Sequence, residues 1–145
     1  MRPEPDGYAF SADRDRIDAG WMHRQLSEHA YWALGRPREL QDAANAGSRC
    51  YGVYDAASGA QVAFARVVTD GATFGWLCDV IVDPELRGHG LGTTLVAGVV
   101  ADLEPLRLKR LMLATSTASG LYAQHGWTPL RAPETWMEHP GSADL

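Results

Sequence analysis

Apolar positions recur along this chain with two different periods, and the changes of period mark its elements. Around Ile17 to His29 and from Arg38 to Ala46 they return at helical spacing, and Gly47 stands where a helix C-terminal cap belongs. The pattern then shifts to β-branched and aromatic runs: "RCYGVYD" (Arg49 to Asp55), "QVAFARVVT" (Gln61 to Thr69) and "TFGWLCDVIV" (Thr73 to Val82). Asp55 to Gly59 and Asp70-Gly71 supply turn residues between them, which predicts an antiparallel meander. Helical spacing returns with Leu91, Leu95 and Val99, joined by Val96, Val100 and Leu103, and Pro105 ends it. "RLMLAT" (Arg110 to Thr115) reads as a short buried strand and "SGLYAQHG" (Ser119 to Gly126) as a short helix with a glycine stop. "WTPL" and "TWME" read as final strands. The order is α+β at the front and βαβ at the back.

A chain of 145 residues predicts one domain, residues 1–145, with enough length to bury a core. The Pro- and Gly-richer ends, "MRPEPDG" and "APETWMEHPGSADL", read as terminal segments that fray. A hydrophobic share of 46% and a charged share of 21% suit a globular protein, and no run approaches the ~18 apolar residues of a membrane span. No apolar core follows Arg2, so no secretory signal is read, and a cytoplasmic location is expected. Cys50 and Cys78 lie in apolar strand-like runs and are expected to be buried, reduced thiols rather than a disulfide or metal site. No metal is expected. The net charge of −5 argues against nucleic acid as a partner and is weakly compatible with a cationic substrate.

The segment "VIVDPELRGHGLGTTL" runs from an apolar strand through a turn with Gly88, Gly90 and Gly92 into a helix. Such a turn can aim successive N–H groups one way, and the helix N-terminus adds about half a positive charge, so together they suit an anion such as a phosphate. Glycines keep Cβ atoms out of its path; the alternative is a tight turn that is merely glycine-rich. The dinucleotide fingerprint G-x-G-x-x-G is not met by "GHGLGT", and "GLGTT" lacks the Gly-Lys-Ser/Thr ending of nucleotide-hydrolysing loops.

Arg87-Gly88-His89-Gly90-Leu91-Gly92 resembles motif A of the GNAT N-acetyltransferases, Arg/Gln-x-x-Gly-x-Gly/Ala, with the family's lead-in as Val82-Asp83-Pro84-Glu85-Leu86. "GLYAQHGW" is similar to the family's x-x-L-Y-x-x-x-G-F helix, with Trp127 in place of Phe. The resemblance covers Gln61 to Leu130, and "SEHAYWALGRPREL" falls where the family's substrate-covering helices lie. It implies a three-layer α+β fold with a mixed sheet of about six to seven strands and about four helices. It also implies acetyl-CoA as co-substrate: the pyrophosphate on Arg87, Gly88, His89, Gly90, Leu91, Gly92 and Thr93, and the pantetheine arm and thioester on the backbone of Val80, Ile81 and Val82. Tyr122 falls on the family's general-acid tyrosine, whereas an isolated Tyr in a helix would more often simply pack. Where many members carry an Asn before that helix, this chain reads Thr115-Ser116-Thr117-Ala118-Ser119, leaving hydroxyls to substitute.

For Asp79, just before the acetyl-holding residues, the resemblance implies a carboxylate that binds the substrate ammonium or relays its proton through water, as in some amine-acetylating relatives. A carboxylate on a largely apolar strand is costly unless paired, and a salt bridge or capping role is the alternative. Glu28, His29 and Tyr31 form a second candidate group for the acceptor. Tyr31 and Trp32 either wall the acceptor or pack on the sheet, and His125 beside Gly126 reads as a helix C-terminal cation or cap rather than a catalyst. Two function classes follow. One is an N-acetyltransferase moving acetyl to a primary amine of a small molecule, or to a protein or peptide; the other is a CoA-binding regulatory module without turnover. Assembly as a homodimer is left open.

Overall fold

A computed structural model describes residues 7–143. They form two compact units, one comprising the chain up to Ala114 and the other starting at Thr115.

The first unit is built on a five-stranded sheet in the order β1-β2-β3-β4-β5, with β1 (Tyr8–Ser11), β2 (Arg49–Asp55), β3 (Gln61–Thr69), β4 (Phe74–Val82) and β5 (Arg110–Met112). The first four are antiparallel neighbours and β5 runs parallel to β4. Because side chains alternate along a strand, Cys50 and Phe64 share one face with Ile81, and Tyr51 and Val53 lie on the other. Helix α1 (Ala19–His29) covers the first face, burying Met22 and Leu26 with Ala30, Ala33, Cys50, Phe64 and Ile81. Its start is fixed by Asp18, whose carboxylate accepts from the Trp21 N–H at 3.0 Å. Helix α2 (Arg38–Ala46) packs beside it and ends on Gly47 as expected. Helix α3 (Leu91–Leu103) meets β1, β2 and β3, and buries Leu91, Leu95, Val96, Val99 and Leu103. At Gly98 it comes so close to β1 that an added Cβ would lie 2.3 Å from Cδ1 of Phe10.

The meander and both front helices follow the sequence reading closely, and the differences have physical causes. Strand β1 is a four-residue segment with no strand signal of its own; its pairing with β2, Tyr8↔Asp55 to Ser11↔Gly52, defines it. The rest of the expected fraying N-terminal segment, residues 1–6, lies outside the described residues. Strand β5 stops at Met112 and is only half-buried. Cys78 is half-buried as well, while Cys50 is buried; both are free thiols.

The second unit contains helix α4 (Ser119–Ala123), shorter than the expected Ser119 to Gly126. Neither "WTPL" nor "TWME" is a strand: residues 127–130 are irregular and Pro133–Thr135 forms a 3-10 turn. Pro129 removes a backbone donor inside the first run, and Pro133, which opens the 3-10 turn, and Pro140 bound the second to a few residues, which outweighs the apolar pattern. The described residues therefore hold five strands, not six or seven. No helix among them is long and apolar enough to cross a membrane.

Candidate active site

Strand β4 carries an extra residue in its middle. Phe64 faces Ile81 and Arg66 faces Cys78, so Ala65 alone opposes both Asp79 and Val80. Asp79 takes up the irregularity with φ 52°, a left-handed conformation that aspartate tolerates better than most residues. On its other side β4 pairs with β5 only at Phe74↔Arg110, Gly75↔Leu111 and Trp76↔Met112. From Leu77 to Val82 that edge has no β5 partner, so its backbone groups there are open to an extended ligand.

The chain then turns through Pro84–Leu86, capped by the Asp83 carboxylate on the Glu85 N–H at 3.0 Å, and enters α3 across Arg87 to Gly90, all four exposed. Gly88 and Gly90 both have positive φ, 90° and 74°. A Cβ at Gly88 would meet nothing within 4 Å, so its backbone dihedral, not packing, calls for glycine there. Gly90 precedes α3 without a side-chain cap, and its carbonyl accepts from Thr94 at 3.1 Å. The N–H groups of Leu91, Gly92 and Thr93 consequently have no acceptor within the helix. A bent strand with an open edge thus leads directly into a bare, amide-rich helix start.

The Acetyltransferase (GNAT) family model matches residues 14–127. The chain belongs to this acetyltransferase family. It is similar to the crystal structure of a GNAT-family acetyltransferase from Xanthomonas campestris pv. campestris, 41% identical with a TM-score of 0.87 over 95% of this chain and 96% of that one. A curated protein of Gibberella zeae named as an acetyltransferase is 29% identical over 136 residues, 81% of this chain and 77% of the relative. A Mycobacterium tuberculosis protein solved in complex with CoA and NLQ shares the fold at 20% identity and a TM-score of 0.67, over 86% of this chain and 77% of that one. The chain is accordingly an acyltransferase.

In this acetyltransferase the Asp79 side chain is 2% exposed and ties the bulge to the front helices. Its Oδ2 accepts from Arg66 Nε at 2.7 Å, Arg36 Nη1 at 2.8 Å and Gln41 Nε2 at 3.3 Å, and its Oδ1 from the Trp32 indole at 2.9 Å. Burial pushes its pKa up, but the hydrogen bond and charge of Arg66, the charge of Arg36 and the Trp32 hydrogen bond outweigh that and hold it below the ordinary carboxylate value. Of the two roles open for Asp79 the ion pair is present, and a carboxylate so engaged is a weak proton acceptor. Arg36, Gln41 and Arg66 were not singled out from sequence. The sequence offers a partial signal for Arg66 alone, since it and Asp79 are opposite charges on two apolar runs expected to pair, but not the register that joins them.

Tyr31 and Trp32 do not pack in the core. They are 62% and 43% exposed and meet edge to face at 5.0 Å on the loop after α1, with Trp32 anchored through its indole N–H. Glu28 and His29 are exposed at the end of α1. Burial raises the pKa of Cys50, and that of Cys78 to about 11, so neither is a thiolate at neutral pH. Neither of two other cavities, of about 300 Å³ beside Arg14, Tyr51 and Asp102 and about 470 Å³ beside Val100, Leu103 and Leu111, is lined by the bulge or the glycine turn.

In the second unit Tyr122 is the buried residue of α4, 7% exposed, and its ring meets Trp127 edge to face at 5.7 Å. Burial raises its pKa, so the phenol is neutral at pH 7. His125 donates its backbone N–H to the Tyr122 carbonyl at 2.9 Å, inside the turn that ends this helix.

Proposed function

We propose that the protein transfers acetyl from acetyl-CoA to a primary amine of a small molecule. The observation that carries this reading is the continuity of the open β4 edge with the uncapped start of α3. Pantetheine is an extended, amide-bearing chain that can pair with a strand edge, and pyrophosphate is an anion that suits unpartnered N–H groups. Val80, Ile81 and Val82 would hold the first, and Arg87, Gly88, His89, Gly90, Leu91, Gly92 and Thr93 the second. The Mycobacterium tuberculosis neighbour's CoA supports the same ligand. When bound, acetyl-CoA supplies an acetyl thioester.

The chain's own residues then have distinct tasks. Strand N–H groups in the bulge region stabilise the negative charge that develops on the acyl oxygen without having to reorganise. The new N–C bond forms as the C–S bond breaks, so one proton leaves the amine and one must reach the sulfur. Tyr122, a neutral buried phenol, is assigned that second proton. Asp79, engaged with two guanidiniums, is assigned a positioning role, which leaves the first proton to solvent near the exposed Glu28 and His29.

Calorimetry with acetyl-CoA and release of free thiol across an amine panel test this reading. In Tyr122→Phe the ring remains and only the donor is lost, so kcat should fall by about 10² to 10⁴ with acetyl-CoA affinity retained. Binding without thiol release on any amine would favour a regulatory module. Release only on peptides would move the acceptor to proteins. An unchanged kcat in Tyr122→Phe, measured where chemistry limits the rate, would remove Tyr122 from the mechanism.

A further inference from the structure

Resting on the acetyl-transfer reading, we propose that the acceptor amine also carries a carboxylate, and that Arg36 and Arg66 recognise it beneath the Tyr31–Trp32 pair. Around Asp79 two guanidiniums share one carboxylate, and their side chains are only 16% and 14% exposed. The remaining partners in this cluster, Gln41, Asn45, Ser48 and the Trp32 indole, are neutral, and the thiols of Cys50 and Cys78 are held protonated by burial. Arg14, bound to the Ser48 and Asn45 carbonyls, brings a further cation toward the cluster, and the carboxylates of Asp13 and Asp102 that line the cavity beside it make no ion pair with Arg36 or Arg66. The cluster therefore holds an unneutralised positive charge, although the chain as a whole carries −5.

A poorly solvated charge without a counter-charge is unfavourable, and a ligand anion offsets it. A planar carboxylate fits best, because a guanidinium presents its N–H groups as a fixed fork. Arg36 spends Nη1 on Gln41 and Asp79, and Arg66 spends Nε on Asp79 and Nη1 on Ser48. Nε and Nη2 of Arg36 and Nη2 of Arg66 have no partner among the described residues. The cluster is built on Asp79, the residue immediately before Val80, so charge and proposed acyl position are adjacent along β4. An amino acid separates its amine from its carboxylate by a comparable short span, and the exposed aromatic pair offers an apolar surface for its side chain.

Matched acceptors isolate the carboxylate: L-phenylalanine against phenethylamine, and L-alanine against ethylamine, in the acetyl-CoA thiol-release assay. The expected result is a preference in kcat/KM of at least about tenfold for the acid of each pair, the size of one charge-assisted hydrogen bond. The preference should appear mainly in KM. It should collapse in Arg36→Gln and be reduced without disappearing in Arg36→Lys, which keeps the charge but not the fork; thermal melts of both variants report on folding.

Equal or better use of the decarboxylated amines would overturn the proposal while leaving acetyl transfer intact. Should no amine be acetylated, transfer itself is refuted, and a second measurement still decides recognition. The Trp32 indole N–H signal, assigned with Trp32→Phe, should shift with phenylalanine at concentrations about tenfold below those of phenethylamine. Equal shifts, or none, would overturn the proposal.

Discussion

Replacing Asp79 by Asn tests the hub of the site at nearly constant shape. Asn is, with Asp, among the residues that best tolerate the φ of 52° found there, so the backbone contribution largely cancels between the two proteins. What is lost is the charge. Wild-type Asp79 accepts two charge-assisted hydrogen bonds at 2.7 and 2.8 Å and two neutral ones at 2.9 and 3.3 Å. An amide has one acceptor oxygen for these donors and turns its NH2 group toward one of them. Removing one partner of a buried ion pair typically costs about 3–5 kcal/mol, because the remaining charge stays buried. Here the guanidiniums keep 16% and 14% exposure, which softens the penalty to about 2–4 kcal/mol.

Urea unfolding at pH 7 measures that loss as a lower midpoint at unchanged slope. The same pair of proteins gives a sign test. The folded pKa of Asp79 lies below its unfolded value, so its contribution is fully present above the unfolded pKa of about 3.9 and disappears as pH falls through the folded one. The stability gap should hold steady from about pH 5 to 8 and narrow below about pH 4. A gap under about 1 kcal/mol at pH 7, or one that widens on acidification, would refute the claim that the two arginines hold Asp79 ionised.

Gly98→Ala should destabilise by about 1–3 kcal/mol despite the better helix propensity of Ala, since the new Cβ would sit 2.3 Å from the Phe10 ring. Phe10→Leu should relieve part of it in a double-mutant cycle, and a stabilised Gly98→Ala would contradict the close packing of β1 on α3. Gly92→Ala sits in the first turn of α3, where Ala should raise stability by up to about 1 kcal/mol while a bare backbone favours phosphate approach. Thermal melts and acetyl-CoA calorimetry should move in opposite senses, and higher stability with undiminished affinity would remove Gly92 from the phosphate contacts.

The sequence was most legible where one local rule sufficed. Strands β2 and β3 and helix α2 appear with the expected limits because turn residues or a C-cap glycine bound each of them. The glycine turn was legible for the same reason: positive φ at Gly88 and Gly90 is a demand that local sequence meets by itself. Strand β1 was not, since four half-buried residues acquire strand character only by pairing with β2. Nor was the Arg36–Asp79–Arg66 cluster. Arg36 lies 43 positions from Asp79, and the contact depends on a register shift that alternation cannot foresee. The terminal strands failed in the opposite way, with apolar residues reading as strand until the prolines between them are given their weight.

The register shift makes the ion cluster and the proposed acyl position a single device. With strict alternation Asp79 would follow Cys78 onto the opposite face of the sheet, the face that α3 covers, away from Arg36 and Arg66. One extra residue lets Cys78, Asp79 and Ile81 serve the α1 side together, while Val80 keeps its backbone on the open edge. The left-handed φ that this requires costs on the order of 1–3 kcal/mol, and the hydrogen bonds at Asp79 offset it. Strain and compensation thus meet at the residue before Val80, so loosening the arginine clamp should also loosen the strand that is proposed to hold the thioester. The effect of Asp79→Asn on kcat should then exceed its effect on acetyl-CoA affinity, because the glycine turn lies beyond Val82 and does not depend on the clamp.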